Sequence, residues 1–335
     1  MITTTFKNVN QGDSIILEWS TNEKQCIGII DCNIKDKENP ILNYLKEKKP
    51  TELEFIILSH FHFDHYSGLA EIFEFCVQQK IKIKKFYHTI FVLLYENYNR
   101  ILISKKVERE TQRFFESYDL VDHLIEDSIE ISHHLAPLNL TNKINLSFLA
   151  PSGNTYKDLI KQLARKNNKI VKTAVDMNKL STIIKIENEL ECILLTSDAV
   201  KDSFKKIKKN NLINKKITLV QVPHHGSWHN IYEPFWNDLI KEKNCPAIFS
   251  VGYEPKDKLP NEQTVEFFSN NNFSIYSTNS VFGIESYFKI PNNTSIISNK
   301  SILLNSFSSL KRRSNLNLNN NLSNLNGDHS FNSLI

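Results

Sequence analysis

No stretch of this 335-residue chain is apolar for long enough to cross a bilayer as a helix, and the opening Met1-Ile2-Thr3-Thr4-Thr5-Phe6-Lys7 lacks the apolar core of a secretory signal. A protein of the cytoplasm, with no membrane partner, is the expectation. The five cysteines (Cys26, Cys32, Cys76, Cys192, Cys245) are odd in number, scattered and in no metal-finger spacing, so free thiols are expected rather than a disulfide framework or a thiolate metal site. Cys32, beside Asp31, reads as a small buried residue in a turn. No internal repeat is visible. An excess of one charge is missing too. Lysine and arginine number 41 against 37 acidic residues, and a net charge of +4 neither requires nor rules out a nucleic-acid partner. The lysine runs at Lys46-Lys48-Lys49, Lys82-Lys84-Lys85 and Lys201-Lys205-Lys206-Lys208-Lys209 read as solvated faces, with phosphate tracking as the alternative. With 40% hydrophobic and 23% charged residues the chain reads as globular and long enough for one large layered core or two modest domains.

What is present is concentrated at the ends of apolar runs. Phe55-Ile56-Ile57-Leu58 leads directly into Ser59-His60-Phe61-His62-Phe63-Asp64-His65. Four metal-ligand side chains among six residues, with no thiolate, suit a borderline divalent ion such as zinc, with manganese or iron as alternatives. At strand spacing His60 and His62 point the same way, so they can grip one ion. Asp64 and His65 are adjacent and cannot both face it from a regular strand, so the chain must turn and a second ion is the economical reading. Cys192-Ile193-Leu194-Leu195 is another apolar run and ends in Thr196-Ser197-Asp198; Ile217-Thr218-Leu219-Val220-Gln221-Val222 is a third and ends in Pro223-His224-His225-Gly226-Ser227. Ligands from separate strand ends converge naturally at one edge of a sheet.

These stretches resemble the metallo-β-lactamase superfamily, and within it the hydrolase domain of ComEC-type DNA-uptake proteins and their standalone relatives. The resemblance spans about residues 5 to 290. Phe6 to Leu17 is similar to that branch's Val-Gly-Gln-Gly-Asp-Ser strand pair, Ile29-Ile30-Asp31-Cys32-Asn33 to its Ile-Asp-Gly-Gly turn, and Leu58 to Leu69 to its His-x-His-x-Asp-His segment. Leu180 to Ile184 with Leu194 to Ala199 resembles the strand pair ending in Thr-Gly-Asp. Val222 to Ser227 resembles Val-Pro-His-His-Gly-Ser, the most discriminating match, and Ile248 to Gly252, Pro260 and Ile275 to Thr278 follow the closing strands. Three departures stand out. Leu149 to Thr155 has no histidine where the wider superfamily has a Pro-Gly-His-Thr-like turn, leaving the first ion short of a ligand. Leu259-Pro260 stands for His-Pro, and Asn279 for an aspartate.

The resemblance implies an α/β fold, an αββα four-layer sandwich, over residues 1–290, and a metal-dependent hydrolase whose leading substrate is a phosphodiester such as DNA or RNA. Hydrolysis of a small ester, thioester or lactam is the alternative, and a metal-bound, non-catalytic subunit of a larger complex is another. DNA transport by this chain alone is not expected, since the membrane portion of a ComEC protein is missing. In the implied scheme two divalent ions are held: His60 and His62 on one, Asp64 and His65 on the other, Asp198 bridging, His224 completing the second. Asp64 also orients the attacking water, and His225 protonates the leaving group, although the adjacent histidines can exchange roles. Asp13 and Asp31 brace the metal loops through backbone amides.

Between the motifs, helices are expected from Asn39 to Lys48 and from Gly68 to Gln79, and a strand from Ile83 to Thr89. A helical insertion over about 95–135 would lie above the site rim. A further amphipathic helix is expected at 156–172, and a low-complexity, disordered tail at 291–335 that could order against a partner. His88 reads as a hydrogen-bonded structural histidine with a stand-in ligand role as the alternative. His133 and His134 fall in the insertion, and His123 and His329 have no supporting context.

Overall fold

The computed structural model describes residues 2–22, 24–89, 105–132, 134–155, 157–158, 176–252, 258–279, 281, 284–288, 303–304 and 329–333. The first sheet opens with β1 (Ile2–Phe6), β2 (Ser14–Ser20) and β3 (Gln25–Cys32), which pair antiparallel in that order. Helix α1 (Pro40–Lys48) follows. The Asn39 side chain accepts the Leu42 N–H at 3.0 Å, Pro40 occupies the first turn, and Lys49 closes the helix in the left-handed region, so the predicted start and stop both have a local cause. After β4 (Glu52–Leu53), β5 (Phe55–Ile57) pairs parallel with β3, and the chain leaves it through the single turn α2 (Phe63–Tyr66) into α3 (Leu69–Gln79). Strand β6 (Lys82–His88) lies parallel to β5.

The region of the predicted insertion is described from residue 105. It forms α4 (Lys105–Val121) and then β7 (Ile125–Glu130), which joins the sheet parallel to β6, so its second half extends the sheet. Residues 95–104 and His133 lie outside the described residues, as do residue 156 and residues 159–172 of the other predicted helix.

The second sheet takes β8 (Leu138–Asn139), β9 (Asn145–Ala150), β10 (Ile183–Glu187), β11 (Glu191–Leu195), β12 (Lys216–Gln221), β13 (Cys245–Phe249) and β14 (Phe273–Ser277), in chain order across the sheet, with helices α5 (Lys201–Lys209), α6 (Glu233–Asn237) and α7 (Glu262–Asn270) between them. The pairing is antiparallel up to β11 and parallel from β11 to β14. Of the stretch read as a tail, β15 (Leu303–Leu304) and β16 (His329–Ser333) are described. Strand β16 pairs antiparallel with β1 along the edge of the first sheet, with β15 outside it.

Side-chain alternation builds the layers. Ile15, Leu17 and Trp19 of β2 face the other sheet, where Ile193 and Leu195 of β11 meet them in one buried cluster. Ile16 points the opposite way into the core beneath α1, α3 and α4, while Cys192 and Leu194 point into the core beneath α5, α6 and α7. Two apolar sheet faces each, one toward the partner sheet and one toward helices, give the α/β/β/α order expected from the resemblance. Among the described residues no helix is long and apolar enough to cross a membrane.

Candidate metal centre

The predicted ligands come together where β5, β11 and β12 end on one side of the sandwich. The first loop is shaped by Asp31, itself at φ 56°. Its carboxylate accepts the Ser59 N–H at 2.7 Å and the Ser59 hydroxyl at 2.6 Å, then meets His65 Nδ1 at 2.7 Å. The turn required between His62 and His65 is α2, closed by the His65 N–H onto the His62 carbonyl at 2.9 Å. Gly12 sits at φ 130° against this loop, where a Cβ would collide with Asn33 and the Asp64 carbonyl, so only glycine fits. The insertion helix backs the loop: Phe61 stacks between Tyr66 and Phe115, and Tyr66 and Thr111 share a hydroxyl hydrogen bond of 2.7 Å.

The Asp198 and histidine loops belong to the second sheet and are tied to the first. Thr182 donates its N–H (3.1 Å) and hydroxyl (2.9 Å) to the Ser59 carbonyl, and Ser59 Oγ lies 2.7 Å from Ser197 Oγ. Gln221 does more. Its Oε1 accepts the Thr196 and Ser197 N–H groups at 3.0 Å each, and its Nε2 donates to Asp13 Oδ2 at 2.8 Å. Asp13 thus holds a side-chain amide with its carboxylate and the Asp64 carbonyl with its own N–H at 3.2 Å, so the expected bracing through backbone amides runs the other way. Ser197, His224 and His225 lie at φ 43°, 49° and 53°, a run of left-handed residues costing about 1–3 kcal/mol each that the surrounding hydrogen bonds enforce.

The distances divide the donors into two groups sharing Asp198. On one side His60 Nε2 lies 3.0 Å from His62 Nδ1 and 3.7 Å from Asp198 Oδ2. On the other, Asp198 Oδ1 lies 3.5 Å from His65 Nε2 and 3.4 Å from His225 Nε2; Asp64 Oδ2 is 3.4 Å from His225 Nε2, and Asp64 Oδ1 is 4.0 Å from His65 Nε2. His224 Nε2 lies 3.5 Å from Asp198 Oδ2. A tetrahedral ion with bonds of about 2.1 Å has ligand–ligand edges of about 3.4 Å, so these spacings suit a metal and are too long for hydrogen bonds between the same atoms. His65 Nε2, Asp198 Oδ1 and His225 Nε2 are buried without any hydrogen-bond partner. An unmet buried polar atom costs about 1–3 kcal/mol, and one cation answers all three.

Each imidazole is set by its other nitrogen. His65 Nδ1 faces Asp31, His225 Nδ1 lies 2.9 Å from the Ser250 carbonyl, and His60 Nδ1 lies 3.1 Å from Ser59 Oγ, which leaves the opposite nitrogen aimed into the cluster. Burial, reinforced at His60 by His65 and His62, holds His60 and His62 below the ordinary imidazole range, the form that binds a metal. At His65 and His225 burial acts in the same sense but is outweighed by the carboxylates facing them. His65 is raised well above the ordinary value and His225 to about 9. Conversely, burial at Asp64 and Asp198 is outweighed by those histidines and both are lowered.

All six predicted ligands and His225 therefore meet. The two adjacent histidines differ: His225 is buried with 2% of its surface exposed, whereas the His224 side chain is 28% exposed. His225 Nε2 points at Asp64 and Asp198 and faces no substrate, which removes the geometry for the leaving-group proton transfer expected of it. His88 lies at the end of β6 with Nε2 3.1 Å from Ser128 Oγ, His134 and His123 are exposed, and none is among the clustered donors. Sequence reasoning missed Gln221, Asn230 and Ser59. Gln221 and Ser59 each follow an apolar strand beside a ligand, the one signal that marks them.

Among solved structures, the metallo-beta-lactamase fold protein YhfI from Bacillus subtilis is similar at 13% identity and a TM-score of 0.45, over 84% of this chain and 98% of that one. Zn(2+)-bound PqqB from Methylobacterium extorquens is similar at 8% identity and a TM-score of 0.45, over 83% and 98%. A diphosphatase from the PhnP family follows at 8% identity and a TM-score of 0.38, over 83% and 86%. No curated protein matches in sequence. Residues 8–135 match the family described as the metallo-beta-lactamase superfamily. That segment carries His60, His62, Asp64 and His65, and with the two mixed sheets and their outer helices the molecule has the metallo-β-lactamase fold of that superfamily.

Proposed function

We propose that this protein is a metal-dependent hydrolase that cleaves phosphodiesters, with nucleic acid as the leading substrate. The observation that carries the hydrolase reading is the set of buried, unpartnered donor atoms arranged in two groups on one shared carboxylate. A merely structural network would satisfy its own members. The likeness of Val222 to Ser227 to the ComEC-type motif supports the phosphodiester assignment within that reading.

In this scheme His60, His62 and Asp198 Oδ2 hold one divalent ion; Asp64, His65, His225 and Asp198 Oδ1 hold the other. His225 thus takes the ligand place first given to His224. The donor set of imidazoles and carboxylates fits zinc, with manganese or iron as alternatives. When bound, the ions supply Lewis-acid charge that acidifies water and offsets charge developing on the substrate. The chain's own groups do the rest. Asp64, with its side chain 32% exposed, is the clustered carboxylate that reaches solvent and can orient a water and receive its proton. Asp31 and Ser59 fix His65 and His60 before substrate arrives, so little reorganisation is left for the reaction itself.

Metal-loaded protein assayed on single-stranded DNA, duplex DNA, RNA, bis-p-nitrophenyl phosphate and nitrocefin separates the readings. Cleavage of the phosphodiesters is the expected result. Turnover of nitrocefin alone would move the assignment to small-molecule hydrolysis, and turnover of none with metal bound would indicate a non-catalytic subunit of a larger assembly.

A further inference from the structure

The two donor groups are unequal. The inner group has a carboxylate oxygen from Asp64, one from Asp198, and two buried imidazole nitrogens, which makes four. The outer group, as counted so far, has His60 Nε2, His62 Nδ1 and Asp198 Oδ2, which makes three. We infer that His224 supplies the fourth donor to the outer ion, and that this ion is the more weakly held and exchangeable of the two. The inference rests on the dinuclear reading above and specifies what that reading leaves incomplete.

Three observations converge on His224. First, its Nε2 stands 3.5 Å from Asp198 Oδ2, the same oxygen that faces His60 Nε2 at 3.7 Å, so it approaches the outer side of the shared carboxylate while His225 Nε2 approaches Oδ1 at 3.4 Å. Both spacings suit the edges of a coordination tetrahedron, about 3.4 Å. Second, the ring is oriented as a ligand would be. Nδ1 lies 3.0 Å from Asn230 Oδ1, an acceptor, so Nδ1 carries the proton and Nε2 presents its lone pair toward the cluster. Asn230 is itself held, its Nδ2 donating to the carbonyls of Asp198 at 3.3 Å and Ala199 at 3.0 Å, which locks the histidine's support to the very loop that carries the bridging carboxylate. Third, the backbone spends strain on this arrangement. In an extended strand neighbouring side chains point to opposite faces, yet His224 and His225 both sit near φ +50° and reach the two oxygens of one carboxylate, with their ring centroids 5.8 Å apart. The His224 N–H, bonded to the Ser197 carbonyl at 2.9 Å, pins that turn.

Unequal binding follows from exposure. In the inner group His65 and His225 are fully or almost fully buried, whereas in the outer group His62 is half-buried and His224 is 28% exposed. Water therefore reaches the outer donors more readily and competes for them. The outer ion is the one whose loading would track the free metal concentration, which makes occupancy of this position a gate on activity.

The test is equilibrium dialysis against buffered free zinc, with bound metal counted per chain, on the wild type and on His224→Ala, His224→Gln and His225→Ala. Circular dichroism confirms that each variant is folded. The wild type should load two ions in two separable steps. Both His224 variants should keep the tight step and weaken the second by at least about 100-fold, more than the 10–100-fold typical of losing a group behind a ligand. His225→Ala should instead damage the tight step. Cobalt absorption gives a second readout, because the loss of a tetrahedral position at the outer ion alters only the later-filling band. Two ions bound by His224→Ala with wild-type affinities would overturn the inference and leave the dinuclear hydrolase standing. A wild type that binds no zinc would remove both, and a mutant weakened in the first step instead would show that His224 serves the inner ion.

Discussion

The two ends of the same sandwich are both crowded with charge, and they treat it in opposite ways. At the end away from the ligands, Lys24 bridges Glu52 and Glu54, and Lys84 reaches Glu54 at 3.1 Å and Glu52 at 3.5 Å. Each charge there has a partner of opposite sign, and the lysines lower both glutamates, against the cost of burial, below the ordinary carboxylate range. At the ligand end, acceptors face acceptors and three buried atoms have no partner at all. The larger cavity, about 940 Å³, lies at the paired end, lined by Trp19, Lys24, Glu54, Lys84, Leu140 and Leu190 among others. Volume therefore does not mark the reactive end. What distinguishes it is unmet valence: a cluster of like donors is stable only with a cation, whereas alternating charges complete themselves.

That contrast is most severely tested at the bridging carboxylate. Asp198→Ala should abolish binding of both ions and lower turnover at least about 1000-fold, about 4 kcal/mol of barrier, with the sandwich still folded. Metal quantification and far-ultraviolet circular dichroism on one sample check it, and stoichiometric metal retained by the variant would break the shared-carboxylate scheme. Asp31→Asn comes next, because it keeps the shape but removes the charge that orients His65 and holds Ser59. A 10–100-fold weaker metal affinity, measured by competition with a chromogenic chelator, is expected; unchanged affinity would mean the bracing is incidental.

Acidity offers a smaller lever. His225 is raised to about 9 by the carboxylates opposite it, so in the metal-free protein its protonated form stabilises the fold fully below the unfolded value near 6.5, and that stabilisation is lost as pH rises toward about 9. The melting temperature of the metal-free protein should therefore fall between those values. Zinc, which must displace the proton, should bind more tightly over the same interval, so the zinc-induced rise in melting temperature should grow with pH. A pH-independent zinc shift would contradict the carboxylate–histidine pairing. Smallest of all, Lys24→Met at the paired end should cost less than about 1 kcal/mol in chemical denaturation and leave zinc stoichiometry untouched, because its ion pairs are partly solvated. A loss of metal from that variant would show the two ends to be coupled.

Much of the fold is legible in the chain because the signals are local. The Asn39 cap with Pro40 announces α1, and the alternation of Ile15, Leu17 and Trp19 against Ile16 announces a strand buried on both faces. The insertion shows where helix propensity misleads: Ile125 to Glu130 carries charge enough to look helical, yet it forms β7 because β6 offers a free parallel edge beside it. The C-terminal stretch is similar, since nothing in its composition indicates that His329–Ser333 would pair with β1.

The chain alone determined which residues could be ligands and that they stand at strand ends, since an apolar run followed by histidine and aspartate is a matter of neighbouring residues. Only the tertiary structure decided how they divide. Whether His224 or His225 turns inward depends on two successive left-handed residues and on Asn230, and the brace from Gln221 to Asp13 joins positions 208 residues apart. Such partners are chosen by packing between two sheets, and no short window of sequence contains both halves of the contact.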